Sequence, residues 1–274
     1  MEFVPELPEV EEVRRTLEPF ILGKRVAGVS VRRADVVTPV RAPLRGLVGR
    51  RFAGTFRHGK KLFVEAEDSQ TLLFHLGMSG RIDCVAAAEP VGAHTHVIIH
   101  MQDGRDVRFR DPRRFGGVWY FATRAEAVEK ETGKLGPDAL QCRVEDFAHW
   151  RTTRGRLKMR LLSQRDIAGL GNIYVDEALW QAQLHPMQRV GRIKPEQLER
   201  MVEAILDVLG RSIASGGTTL RDYRNVANQP GAFALQLRAY GRAGLPCLRC
   251  DTVMRSSTTA GRTTVFCPQC QKQR

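Results

Sequence analysis

No stretch of this 274-residue chain comes near the roughly eighteen uninterrupted apolar residues that a membrane helix needs. An export signal is missing as well. Such a signal starts with positive charge and continues into an apolar run of roughly seven to fifteen residues, whereas this chain opens with Glu2, Glu6 and Glu9. The sequence has no internal repeat and no low-complexity tract. A soluble protein that stays in the cytoplasm, away from membranes, is expected. Acid is the scarcer charge, thirty Asp plus Glu against forty-three Lys plus Arg, and the net charge of +13 calls for a polyanionic partner. Nucleic acid comes first and an acidic membrane surface second. Cysteine is nearly absent from the first 246 residues. Cys84 and Cys142 stand alone there and read as ordinary buried or half-buried thiols.

The other four cysteines crowd the C-terminus. Cys247 and Cys250 form one CxxC, Cys267 and Cys270 another, with sixteen residues between the pairs. That spacing reads as one zinc ion held by four thiolates around a β-hairpin. With no position left open to water, the metal is structural rather than catalytic. In a chain without an export signal, disulfides are the weaker alternative.

At this length two domains are expected, each with its own core. Val10, Val13, Leu17 and Ile21 recur at helical spacing after the prolines Pro5 and Pro8, and Gly23 stops the helix. Six or seven short strands follow, over 26–31, 51–56, 62–66, 71–76, 96–101, 105–109 and 117–121, as in a β-sandwich or barrel. Polar residues 126–145, with Gly133, Gly136 and Pro137, read as a linker. Helices then take over, one from Asn172 towards Gln183 and one after Pro195 whose apolar face runs from Leu198 to Ile213. The fold class is α+β. Its expected parts are a β-sandwich with a leading helix (1–125), the linker, a helical domain (146–235) and the zinc hairpin (236–274).

Six motifs stand in one order along the chain: PELPEVE at 5–11, HLGMSG at 75–80, DPRRFG at 111–116, GLGNIYVDE at 169–177, GGTTL at 216–220, and YGR at 240–242 with the cysteine pairs behind it. In this the sequence resembles the formamidopyrimidine-DNA glycosylase family, bacterial base-excision repair enzymes that remove oxidised purines and then cut the strand. The resemblance implies a helix-two-turn-helix in the helical domain and double-stranded DNA with an oxidised base or abasic site as partner. It further implies a monomer working on the nucleoid.

The resemblance makes Pro5 the nucleophile, and chemistry gives a reason. A free α-amine titrates near pH 8, so at neutral pH part of it is unprotonated, whereas a lysine near 10.4 needs heavy perturbation. The secondary amine attacks C1′ of the sugar, and the iminium it leaves is the electron sink for strand cleavage. Glu6 is implied as the acid that protonates the sugar ring oxygen, Lys60 as the lysine that assists and touches the lesion, and Arg262 as the group near the last elimination step. Neighbouring strand residues face opposite ways, so only one of Lys60 and Lys61 enters the site. Met78 and Phe115 would fill the hole left by an everted base while Arg113 bonds its abandoned partner. His94, Arg154, Lys158 and Asn172 are implied as DNA contacts, the last at a helix start suited to phosphate. Zinc would hold Arg262 in place.

One departure matters. Pro5 is preceded by four residues, so in the written chain its nitrogen is an amide whose lone pair is delocalised and cannot attack. Val4 is therefore read as the translational start, a GUG codon initiating as methionine whose removal frees Pro5. A Pro5 that stays blocked would leave a damage-binding protein without catalysis. Within the enzyme class, an oxidised-pyrimidine preference is the alternative, against which PELPE and GGTTL favour purines.

Overall fold

The computed structural model describes residues 4–220 and 223–273. It divides into two compact units. One holds the chain to Gly133 together with Ser215–Ala232, and the other holds Lys134–Ala214 and the chain from Phe233 on.

In the first unit, helix α1 (Leu7–Ile21) begins ahead of the apolar period that starts at Val10, because Pro8 is welcome in a first turn whose N–H groups have no intrahelical acceptor. Leu7, Val10, Val13, Leu17 and Ile21 are all buried along one face, and Gly23 takes a positive φ of 70° just beyond the end. Nine strands follow: β1 (Val26–Val31), β2 (Val37–Thr38), β3 (Phe52–His58), β4 (Lys61–Ala66), β5 (Thr71–His75), β6 (Arg81–Ala86), β7 (Thr95–Met101), β8 (Arg105–Arg110) and β9 (Gly117–Phe121). They make a five-stranded sheet in the order β2-β9-β5-β4-β3 and a four-stranded sheet in the order β1-β7-β8-β6. Phe74 of β5 and Phe109 of β8 meet across the sandwich with ring centroids 6.2 Å apart. Strand β6 escapes the apolar pattern because only Ile82 in it is buried, and its pairing with β8 places it.

The segment whose composition suggests a linker starts inside a helix. In α2 (Arg124–Thr132) the hydroxyl of Thr123 accepts the N–H of Glu126 at the N-terminus. Ala127 is its one buried residue and packs on Phe63, Leu73 and Phe121. A helix that buries a single alanine carries almost no periodic signal.

The second unit contains α3 (Leu157–Leu162), α4 (Asn172–Gln181), α5 (Pro195–Ala214) and a hairpin of β10 (Arg255–Thr259) and β11 (Arg262–Phe266). Ile173 to Trp180 of α4 are buried without a break, so α4 is the unit's central helix. The helical region expected over 146–235 is interrupted. Ser215–Ala232 folds back on the first unit, where Asn225 Nδ2 bonds Glu12 Oε1 at 3.1 Å and Tyr223 donates its hydroxyl to the carbonyl of Glu9 at 3.1 Å. Among the described residues, no helix is long and apolar enough to cross a membrane.

Candidate active site and nucleic-acid interface

Pro5 is buried in the wall of a cleft of about 390 Å³ in the first unit, which Met78, Arg81, Arg110, Pro112 and Tyr223 also line. The start of α1 is fixed by one carboxylate. Glu9 is fully buried; its Oε2 accepts the N–H of Glu6 at 2.9 Å and its Oε1 the N–H of Thr218 at 2.7 Å. Glu6, also buried, is thus set beside Pro5 by its own backbone. Gly217 has φ 85°, and a Cβ there would stand 3.1 Å from Glu9 Oε1, so GGTTL needs its second glycine for both conformation and space. Glu9 and Tyr223 carry no role in the sequence reading. The signal for Glu9 was its place in PELPEVE, three residues after Glu6.

Lys60 occupies the turn between β3 and β4, after Gly59 at φ 57°. Lys61 opens β4 and is committed to α2, where its Nζ bonds Glu131 Oε2 at 2.6 Å and the Glu131 carbonyl at 2.7 Å. Burial, with Lys61 and Lys60 close by, lowers the pKa of His75 and keeps its imidazole neutral. Its Nδ1 accepts the N–H of Gly77 at 3.1 Å, which assigns the proton to Nε2.

HLGMSG and DPRRFG form two loops pressed backbone to backbone. A Cβ on Gly77 would lie 2.5 Å from the nitrogen of Gly116, and one on Gly116 would lie 2.3 Å from the carbonyl oxygen of His75. Asp111, completely buried, ties them together: Oδ1 accepts the hydroxyl of Ser79 and the N–H of Arg113, and Oδ2 accepts the N–H of Gly116 at 2.7 Å. Its own N–H donates to the carbonyl of His94, at 3.0 Å. Met78, His94, Arg113 and Phe115 therefore hang from one scaffold. Phe115 stays 55% exposed with the Arg113 guanidinium 4.7 Å above its ring, an apolar side chain presented to solvent on a loop tied down by Asp111.

In the second unit Asn172 opens α4, and its Nδ2 donates to the carbonyl of Thr263 at 2.9 Å. Lys158 corrects its expectation as a DNA contact. Its side chain is fully buried, with Nζ 2.6 Å from Asp176 Oδ1 and 3.1 Å from the same Thr263 carbonyl. A cation sealed inside the protein positions the hairpin and cannot reach a phosphate. Burial pushes Asp176 up to about 7, although Lys158 draws it down. Arg154 is exposed. Arg262 is exposed at the head of β11, next to the two-residue turn of Ala260 and Gly261, both at positive φ.

The hairpin's base carries the four cysteines, whose sulfurs all lie within 4.8 Å of one another. Four sulfurs about 2.3 Å from a tetrahedral zinc stand roughly 3.8 Å apart, and this cluster fits one structural Zn2+. Trp180 Nε1 donates to Cys247 Sγ at 3.4 Å and the N–H of Cys270 to Cys267 Sγ at 3.3 Å, as thiolates bound to a metal require. From below, the Glu177 carboxylate collects the backbone N–H groups of Arg238, Ala239 and Tyr240 at 2.7 to 3.0 Å. Asp176 and Glu177, the last two residues of GLGNIYVDE, went without a role in the sequence reading because acidic side chains ordinarily face water.

Three domain families cover nearly all of the chain. Residues 4–118 match the formamidopyrimidine-DNA glycosylase N-terminal domain, 135–224 that enzyme's H2TH domain, and 244–273 the zinc finger found in FPG and IleRS. The chain belongs to the formamidopyrimidine-DNA glycosylase family. A formamidopyrimidine-DNA glycosylase of Syntrophotalea carbinolica is 38% identical over 273 residues, covering 98% of this chain and 100% of the relative. The Lactococcus lactis Fpg, solved with DNA containing an abasic site, superposes with a TM-score of 0.90 at 31% identity, over 98% of this chain and 100% of the other. MutM, solved with DNA containing carbocyclic 8-oxo-G, does so at 0.90 and 30% identity with the same coverage. The family's fold accounts for the sandwich, the helical unit and the four-cysteine hairpin described above.

Proposed function

We propose that this protein is a base-excision repair enzyme that removes oxidised purines, 8-oxoguanine and formamidopyrimidines, from duplex DNA and nicks the strand at the abasic site it makes. The observation that carries the reading is Pro5 set in the wall of the 390 Å³ cleft between the Met78 loop and Tyr223. The Pro5 nitrogen, once it is a secondary amine, attacks C1′, and the glycosidic bond breaks with its electron pair leaving on the base. Glu6 supplies the proton to the sugar ring oxygen. The iminium then acidifies C2′; loss of that proton expels the 3′ phosphate, and a second elimination expels the 5′ phosphate. Lys60 assists at the lesion, and Arg262, held by the zinc hairpin, serves the last step. Met78 and Phe115 fill the vacated stack while Arg113 bonds the unpaired base. Asn172, His94 and Arg154 hold the backbone. The enzyme works in the cytosol on nucleoid DNA.

Hydride trapping tests this. A chain processed to begin at Pro5, mixed with duplex carrying one 8-oxoguanine and borohydride, should become covalently joined to the DNA. A chain keeping residues 1–4 should bind and not trap. If the processed chain binds and never cross-links, the protein is a lesion reader and the enzymatic proposal is wrong. Running the same assay with oxidised pyrimidines decides the substrate, since purine lesions should react faster.

A further inference from the structure

The helical unit carries a second cleft, of about 630 Å³, whose lining is four arginines, Arg154, Arg156, Arg189 and Arg192, with only threonine and glycine between them. Among the described residues no carboxylate pairs with any of the four. Two other arginines of the same unit do have carboxylate partners, Arg160 with Asp166 and Arg211 with Asp207 at 2.9 Å. Four guanidinium groups gathered without counter-charge repel one another, a cost that an anion between them removes.

The cleft is built rather than accidental. Two short backbone segments face each other in an antiparallel bridge at Arg156 and Arg189, closed by Leu157 N–H to the Gln188 carbonyl at 2.9 Å and Val190 N–H to the Gly155 carbonyl at 3.1 Å. That bridge fixes the spacing of the arginines on either side. A relay of two contacts also joins the cleft's wall to the zinc hairpin. Arg156 donates to the carbonyl of Met187 at 2.9 Å, and Met187 Sδ accepts the hydroxyl of Thr259 at 3.5 Å, the residue paired with Arg262 across the ladder.

We propose that these four arginines form a backbone-binding station for duplex DNA, gripping phosphodiesters and lengthening the helical unit's own footprint, which starts at the hairpin tip. The planar guanidinium matches phosphate in a two-bond fork. No aromatic ring lines the cleft on which a base could stack, so the contact reads backbone and not sequence. Arg154 is expected at DNA from the family resemblance, whereas Arg156, Arg189 and Arg192 follow from the cleft alone. The station rests on the reading of DNA as the partner.

The test uses the full chain with its zinc and the double variant R189A/R192A, both positions being exposed. Binding to undamaged duplex is measured across a salt series, with one duplex just long enough for the hairpin tip and one that runs well past it. Each lost phosphate contact lowers the slope of log affinity against log salt by about 0.9, so the double variant should lose about two units on the long duplex. At low salt it should bind that duplex at least tenfold more weakly. On the short duplex variant and parent should agree, and R189K/R192K should restore most of the slope. An unchanged melting temperature separates this from misfolding. Equal slopes and affinities on the long duplex would overturn the station. The parent reading is judged apart from it, by hydride trapping: a chain that traps with an unaltered slope sinks the station alone, and a chain that shows the slope change and never traps sinks the enzyme alone.

Discussion

Asp111 in the first unit and Glu177 in the second solve one problem in two ways. Each is a buried carboxylate that collects several donors from a segment distant in sequence or from a tight loop beside it. Around Asp111 the two loops are already welded by glycines in direct backbone contact and sit between strands of a five-stranded and a four-stranded sheet, so the carboxylate completes a structure that the sandwich supports. Around Glu177 there is far less. The hairpin is a sheet of only two strands, and its core is little more than Trp180, Ala239, Met254, Val265 and cysteines. So few apolar contacts cannot offset the entropy of ordering it. The contrast assigns the metal its task, to supply stability where burial is insufficient.

The largest expected effect breaks the comparison outright. Stripping zinc with a chelator, or Cys267→Ser, should unfold the hairpin while leaving the sandwich intact, since structural zinc contributes roughly 10–16 kcal/mol in isolated finger peptides. Metal analysis and limited proteolysis would follow it, with cleavage after residue 236 expected first and excision lost. Simultaneous melting of both units would contradict the division of labour. Next in size, Glu177→Gln should cost about 3 kcal/mol or more, because an amide nitrogen is forced against buried N–H groups. Asp111→Asn should cost about 1–3 kcal/mol and slow excision more than it weakens binding, as the Met78 and Phe115 loops loosen. Calorimetric melting of the two variants ranks them, and the reverse order would mean that the glycine contacts matter less than the acid.

The smallest effect concerns a carboxylate of the first unit that pairs with cations. Burial works to raise Glu11, but Arg14 and Arg57 more than offset it and hold its pKa below the ordinary 4.5. Its folded value lies below its unfolded one, so its stabilising share is present above about pH 4.5 and is lost as the pH falls through the folded value. Glu11→Gln should therefore lower stability at neutral pH by that share, flatten the acid limb, and leave stability below the folded value nearly untouched. An unaltered acid limb would show that the arginines do not govern it.

Much of this molecule is legible in its sequence because two signals are strong. The strand alternations give the sandwich, and the CxxC spacing gives the metal site from residue types alone. Function was readable only because six motifs occur in one order, none being decisive alone. What stayed hidden is hidden for physical reasons. β6 pairs through its backbone with Ile82 its one buried residue, and α2 buries one alanine, so neither prints a period. Lys158 reads as a surface cation because lysine is rarely buried, and only its contact with Asp176 shows otherwise. Arg189 and Arg192 lie outside every motif, and it takes the bridge at Arg156 to bring them beside Arg154.

The return of Ser215–Ala232 to the first unit has a practical corollary for anyone dissecting the gene. A fragment ending at Gly133 would lack the amide of Thr218 and the phenol of Tyr223, and Glu9 would face an empty space at the mouth of the cleft. Co-expressing that fragment with a peptide spanning 215–232 should rescue its solubility, as a missing staple returned in trans.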